Sequence, residues 1–244
     1  MSDALTFCLL VPTLNEIDGM RAVMPHVDRS LFKEILVVDG GSTDGTVEYC
    51  HQHGLTILKQ PNKGLPDAEE YAFKHVKSDA LILFTPDGNS KADLLPVLIH
   101  KLSEGYDMVI ASRYLGGAKS EDDDVMTAFG NWMFTAMINL LFHAKYTDTL
   151  VGLRAYRCNA MRIMQLPGMT EATPLRAHYP LMNSWETGAS IRAARLKLRV
   201  VEIPGDEPKR IGGVRKMRVI QNGLGTLFQI IYDFLFFHPR VNAR

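Results

Sequence analysis

Over residues 5 to 112, short apolar runs alternate with longer stretches whose apolar positions recur every three or four residues. LTFCLLVP (5–12), EILVVD (34–39), LTILK (55–59), DALILFT (79–85) and DMVIAS (107–112) are apolar on both faces, as strands of a parallel sheet covered on both sides would be. Helical spacing marks 16–28, 44–53, 66–77 and 91–104, the last through Leu94, Leu95, Leu98 and Leu102. This alternation predicts βαβ units with right-handed crossovers, hence an α/β fold with a mostly parallel sheet flanked by helices.

After residue 113 the rhythm changes. SEDDD (120–124) reads as an exposed loop, 126–143 as an apolar helix, 153–157 as a short strand, 181–195 as a helix and 197–203 as a strand. A Gly- and Lys/Arg-rich stretch (205–218) and a final apolar helix (219–237) follow. No composition shift marks a second domain. One domain over 1–218 is expected, with 219–244 packed on it or lying at a membrane interface. The stripe from Trp132 to Phe142 suits lipid or core, and core is the commoner use of such stripes. Asp233 at a bilayer centre would cost about 2.5–3.5 kcal/mol, which predicts that 219–237 does not span a membrane.

Composition narrows the class. The 244 residues are 46% hydrophobic and 22% charged, enough for a sizeable core and unlike a disordered chain. Net charge is zero, yet residues 1–153 hold 12 basic and 21 acidic side chains, and residues 154–218 hold 13 and 5. An acidic part able to hold a cation therefore precedes a basic part able to meet phosphate or an anionic membrane. No nucleic-acid-binding motif is present, so nucleic acid is not an expected partner. Cys8, Cys50 and Cys158 are widely spaced and odd in number, as in a reducing compartment. The N-terminus lacks a basic region and its apolar run stops at Pro12, so a cytoplasmic protein without a signal peptide is expected.

In an open parallel sheet, ligands bind beyond the carboxyl ends of the strands. Here these ends carry VPTLNE (Pro12, Asn15, Glu16), VVDGGSTDGT (Asp39, Gly40, Gly41, Asp44), FTPDGNS (Asp87, Gly88, Asn89) and ASRY (Arg113). A nicotinamide-binding Rossmann domain would place its glycine-rich loop after the first strand, and PTLNE has no glycine. GGSTDG following Asp39 suits a carboxylate reaching a base or ribose, and equally a bare turn and helix cap. Asp87 and Asn89, two oxygen-bearing side chains at i and i+2 on a tight turn, suit a hard divalent cation such as Mg²⁺ or Mn²⁺ bridging a diphosphate. Pro-Asp-Gly-Asn is also a strong turn sequence, so both readings stand on the residues alone.

Taken in order, PTLNE, VVDGGSTDGT, NKG, the D-x-D-like turn, ASRY, D-x-x-x-G-x-R and R-x-x-G-x-x-K resemble the family 2 inverting glycosyltransferases of the GT-A fold, and among them the dolichyl- and polyprenyl-phosphate sugar synthases. The resemblance runs from about residue 5 to residue 217. It implies a nucleotide pocket lined by Pro12, Asn15 and Glu16, with Asp39 on the base or ribose, Gly41 in the supporting turn and Lys63 in a turn beside the nucleotide. Asp87 and Asn89 would hold the metal and diphosphate, while Arg113, Arg154, Arg210 and Lys216 would meet donor or acceptor phosphates. Asn89 replaces the family's second aspartate, and Lys91 stands where relatives have a further ligand, an ammonium that cannot bind a metal.

The chemistry follows from charge. As the nucleoside diphosphate leaves, negative charge grows on it and must be met by a metal or cations. A lipid phosphate acceptor is largely ionised at pH 7, its second pKa being about 6, and needs no general base. A saccharide hydroxyl would need one, with Glu186 the first candidate and Asp148 the second, although capping or ion pairing suits both as well. The expected protein is a cytoplasmic-face, membrane-associated transferase using a nucleoside-diphosphate sugar. A polyprenyl phosphate is the expected acceptor, a growing saccharide the second choice. The rival classes are a catalytically weak sugar-nucleotide-binding protein and a nucleotidyltransferase, whose glycine- and basic-rich first loop is missing from VPTLNE.

Overall fold

The computed structural model describes residues 4–166, 184–212 and 219–238. Lys216 lies outside the described residues, as do Arg215 and the first three positions of the helix expected over 181–195. Seven strands, β1 (Phe7–Thr13), β2 (Glu34–Asp39), β3 (Thr56–Lys59), β4 (Ala80–Leu83), β5 (Met108–Ser112), β6 (Arg154–Arg157) and β7 (Val200–Pro204), form one sheet in the order β3-β2-β1-β4-β6-β5-β7. β6 runs antiparallel between β4 and β5, and the other pairings are parallel. Because β6 is reversed, its first residue, Arg154, pairs with Leu83 and Ile110 near the edge where β4 and β5 end.

Alternation along the strands serves two cores. In β1, Phe7, Leu9 and Val11 join Met20 and Val23 of α1 (Ile17–Val23), Tyr49 of α2 (Thr46–Gln52) and Leu95, Leu98 and Leu102 of α4 (Leu95–Ser103). On the other face Cys8 and Leu10 join Ala68, Ala72 and Phe73 of α3 (Leu65–Phe73), Met161 of α6 (Cys158–Ile163) and Trp185 and Ala189 of α7 (Trp185–Leu196). A further layer, α5 (Val125–Phe142) and α8 (Val219–Phe236), packs on α7 through Phe134, Ile138, Phe142, Ile191 and Ile230.

Helix ends differ from the sequence pattern for local reasons. The stretch 16–28 leaves α-geometry at Val23 and tightens into a 3₁₀ turn over Met24–His26, where Pro25 withholds a donor. Six-residue α6 is too short to show a period and was not expected.

A Cβ on Gly19 would lie 2.1 Å from the Pro86 carbonyl oxygen, so α1 rests directly on the turn after β4. Gly19→Ala should lose about 1–3 kcal/mol through overpacking and lower the melting temperature by several degrees. Gly130→Ala in α5, whose added Cβ meets nothing within 4 Å, should be neutral or gain up to about 1 kcal/mol. Thermal denaturation of the pair checks the claim; equal melting temperatures would remove it.

Candidate active site

Backbone donors and short polar side chains lace the first two strand-end loops together. Asp39 is buried and accepts from the Gly41 amide at 2.8 Å and the Ser42 amide at 3.0 Å, closing a turn in which Gly41 has φ 100°. Only glycine takes that conformation without strain. Asn15, itself left-handed at φ 54°, accepts from the Thr43 amide at 2.8 Å and donates its own amide to Ser42 Oγ at 2.8 Å. Asp44 accepts from the Thr46 hydroxyl at 2.6 Å and the Ile17 amide at 3.0 Å. Burial acts to raise the Asp44 pKa, but these hydrogen bonds outweigh it and hold the carboxyl below its ordinary value. Pro12 and Glu16 lie half-buried beside this clasp, and Lys63 is exposed on the loop before α3.

At the end of β4 the chain turns through Asp87, Gly88 (φ 92°) and Asn89. Asp87 is buried; its Oδ1 accepts from the Asn89 amide at 3.1 Å and its Oδ2 pairs with Arg210 Nη1 at 2.6 Å. The Ile211 amide donates to the Asp87 carbonyl at 2.7 Å, and Ile211 covers Gly88 so closely that a Cβ there would meet its side chain at 2.7 Å. The segment around Arg210 therefore lies across the turn. Asn89 Nδ2 donates to Asp122 at 3.0 Å, while Asn89 Oδ1 is buried with no hydrogen-bond partner. Lys91 is drawn away to Asp93 (3.6 Å) and Asp206 (3.8 Å).

The cations expected on phosphates fall in different places. Arg113 is buried and grips Asp148 through Nε (2.7 Å) and Nη2 (3.1 Å), with Glu207 at 3.2 Å and Asp123 at 3.6 Å from Nη1. Burial would lower its pKa, but Asp148 first and then Glu207 and Asp123 raise it above the ordinary arginine value. Arg154 is fully enclosed and donates to the carbonyls of Val151 (2.8 Å) and Glu186 (2.9 Å) and to Ser190 Oγ (2.9 Å). Thus Arg113 and Arg154 spend their donors on the fold, and Arg210 alone of the three lies on the Asp87 turn. Burial separates them, and a count of cations along the chain does not carry it.

The SEDDD segment, expected to be exposed, is partly docked. Besides the contact of Asp122 with Asn89, Asp123 accepts from the Tyr114 hydroxyl, Ser120 bonds Glu207, and Asp124 caps α5 by accepting from the Thr127 amide at 2.8 Å. Glu186 Oε2 accepts from the Ser184 hydroxyl at 2.6 Å at the start of α7, a local capping contact. Asp148, the second base candidate, is wholly buried on Arg113.

Glu69 went unnoticed in the sequence. It is 2% exposed in α3, its Oε2 has no hydrogen-bond partner, and it feels the charges of Glu186 and Arg154. Its spacing from Ala72 and Phe73, at i+3 and i+4, was the available signal, an acid on an apolar stripe.

The model of "Glycosyl transferase family 2" matches residues 8–165. An undecaprenyl-phosphate mannosyltransferase of Micrococcus luteus is 26% identical over 218 residues, covering 85% of this chain and 86% of that protein. A dolichyl-phosphate hexose transferase of Haloferax volcanii is 26% identical over 206 residues, covering 84% and 83%. The chain spans about half of another relative, glycosyltransferase AglJ of the same organism (29% identical over 153 residues; 61% of this chain, 49% of that one). Among solved structures, glucosyl-3-phosphoglycerate synthase of Mycobacterium tuberculosis, crystallised with Mn²⁺, UDP and glucosyl-3-phosphoglycerate, superposes with a TM-score of 0.63 at 18% identity, covering 94% of this chain and 80% of that one.

Burial raises the Glu69 pKa well above its ordinary 4.5, Glu186 adds to the rise and Arg154 opposes it. The folded protein thus keeps a proton that the unfolded chain releases near pH 4.5, so this group's contribution is full below that pH and is lost as pH rises through the folded pKa. Glu69→Gln, which keeps the neutral shape, should match wild type near pH 4 and melt higher at pH 8, by about 2–4 °C for each kcal/mol relieved. Melting curves across that range check it; an unchanged difference at both ends would show that Glu69 is not held protonated.

Proposed function

Because the chain belongs to glycosyl transferase family 2, has the GT-A fold and so is a glycosyltransferase enzyme, we propose that it moves a sugar from a nucleoside-diphosphate sugar to a polyprenyl phosphate, with inversion at the anomeric carbon. Two relatives that each span more than four fifths of this chain are named for lipid-phosphate sugar transfer, which supports this acceptor. The observation that carries the reading is an uncharged apolar face beginning at the site itself.

That face is built by α5 and α8. α5 has no charged residue in 18 positions, yet only 28% of it is buried, and Val125, Met126, Phe129 and Trp132 stand exposed along its first two turns. The stripe from Trp132 to Phe142 divides: Phe134, Ile138 and Phe142 are core, whereas Trp132 is 65% exposed and Leu140 also faces outward. On α8 the exposed Ile220, Leu224, Phe228, Ile231 and Leu235 follow one helical stripe. Both helices are tied to the domain along their inner sides: Asn139 exchanges two 2.8 Å bonds with Tyr146, Gln229 bonds Ser184, and Arg192 holds Asp233 at 2.9 Å. Helices so bound suit the membrane interface better than a crossing. α5 starts three residues beyond Asp122, which touches Asn89, so an acceptor phosphate held at this face would lie beside the Asp87 turn.

On the donor side, the Asp39 and Asn15 clasp would hold base and ribose. Asp87 and the partnerless Asn89 Oδ1 fit a hard divalent cation, Mg²⁺ or Mn²⁺, as an oxygen donor set. Such an ion, when bound, would neutralise the diphosphate as it departs. Arg210 adds a guanidinium suited to bidentate phosphate contact, and Lys63 is exposed on the loop between β3 and α3. The acceptor's phosphate oxygen attacks the anomeric carbon from the face opposite the leaving diphosphate, and no protein base is required. The Ser184 contact of Glu186 gives the hydroxyl-acceptor alternative less support.

The full chain should float with vesicles containing anionic lipid. Basic residues near the surface contribute about 1 kcal/mol each, so high salt should weaken binding without abolishing it. Phe129→Glu with Phe228→Glu removes two exposed anchors worth about 3 kcal/mol or more together, hence about a hundredfold in affinity. The double variant should keep its melting temperature and stay unbound. Wild-type protein that never floats at low salt would overturn the lipid-acceptor reading.

A further inference from the structure

Asn89 stands where the resembled enzymes carry a second aspartate, and the structure places a carboxylate against it from another loop. We propose that Asp122 supplies the second negative charge of the cation–diphosphate site and fixes the Asn89 amide with its oxygen turned inward, so that Asp87, Asn89 and Asp122 act as one unit. This rests on the donor-site reading above.

The hydrogen bond sets the orientation. A carboxylate only accepts, so the 3.0 Å contact assigns the amide nitrogen to Asp122 and leaves Oδ1 on the other side. That oxygen is buried without a partner, an arrangement that costs about 1–3 kcal/mol unless something positive or donating meets it. The main-chain amide of Asn89 already binds Asp87 Oδ1, which fixes the side chain's root beside the carboxylate. Asp122 is likewise fixed from both sides in sequence, by Asp123 on Tyr114 and Arg113 and by Asp124 capping α5. Among the described residues Asp122 makes no ion pair, whereas Asp87 is met by Arg210 and Asp123 by Arg113.

Charge explains why the residue types go together. An aspartate at position 89 would face Asp122 at about the same 3.0 Å, and two carboxylates that close cannot both stay ionised. With asparagine at 89 the site keeps two formal negative charges, on Asp87 and Asp122, the number that two aspartates in the turn would give. The second charge has moved to the loop before α5, which the sequence pattern read as exposed.

Exchange of the two residues tests this. Mn²⁺ binding to the purified full chain is measured by electron paramagnetic resonance of the free ion, with and without UDP, beside a melting curve for each variant. Asp122→Asn keeps an acceptor for Asn89 and removes only the charge; it should weaken Mn²⁺ binding about tenfold or more. Asn89→Asp with Asp122→Asn should restore it to within about threefold of wild type, a rescue that a purely structural contact would not give. If wild type binds Mn²⁺ in an Asp87-dependent way and Asp122→Asn binds equally well, or the folded double exchange rescues nothing, the role of Asp122 is overturned while the donor site stands. If wild type shows no binding that Asp87→Ala abolishes, the donor-site reading fails and this inference with it.

Discussion

A single buried guanidinium organises the mouth of the sheet. Arg113 leaves the end of β5 and holds Asp148, Glu207 and Asp123, which belong to three different loops. Around it the Glu207 and Lys119 backbones bond each other at 2.9 Å, the Glu121 amide reaches the Glu207 carbonyl at 2.8 Å, and Asp206 accepts from the Lys119 amide at 3.0 Å. The strand-like descent after β7 is thereby fixed, and three residues past Glu207 the chain delivers Arg210 and Ile211 onto Asp87 and Gly88. Removing one partner of such a buried cluster typically costs about 3–5 kcal/mol. The acidic neighbours that look like excess charge in the sequence are thus the matching half of a positioning device.

Much of the scaffold was legible because it follows from period. Strands apolar on both faces, glycines at the turns after β2 and β4, and the polar strand ends are local properties, and they reappear where the pattern put them. The exception is β3, which is the sheet's edge and leaves Thr56 and Lys59 exposed instead of covered. What was not legible depends on contacts far apart in sequence. Arg154 and Arg210 look alike in the chain, yet one opens a reversed central strand and is sealed under α7, whereas the other crosses an open turn. Asp122 and Glu69 were missed for the same reason. A carboxylate's neighbours 33 residues away in one case, and a helix face closed by α7 in the other, decide its chemistry.

The outer helices show how polar residues can strengthen an apolar reading. Asp233 counts against a spanning helix in the sequence, and in the fold it faces inward to Arg192, with Gln229 one turn earlier clamping Ser184. With Asp233 and Gln229 so used, α8 presents Ile220, Leu224, Phe228, Ile231 and Leu235 on its outer side, next to the uncharged α5. The Phe142 and Phe234 rings meet edge-on at 5.9 Å, which joins the two helices into one surface. The hydrogen-bonded strand-end loops, where we propose that the sugar donor binds, therefore neighbour a surface that water solvates poorly, the division of labour that transfer from a water-soluble donor to a lipid would need.

The most direct test supplies both substrates at once. Purified protein is mixed with Mn²⁺, vesicles carrying a polyprenyl phosphate, and UDP- or GDP-sugars labelled in the sugar, and the label is followed into an organic extract. Label should enter the extract only with the phosphorylated lipid, not with the free polyprenol, and should return to the aqueous phase when excess unlabelled nucleoside diphosphate is added. Label that stays in water whichever donor is supplied, or that transfers equally to the unphosphorylated lipid, would contradict the account.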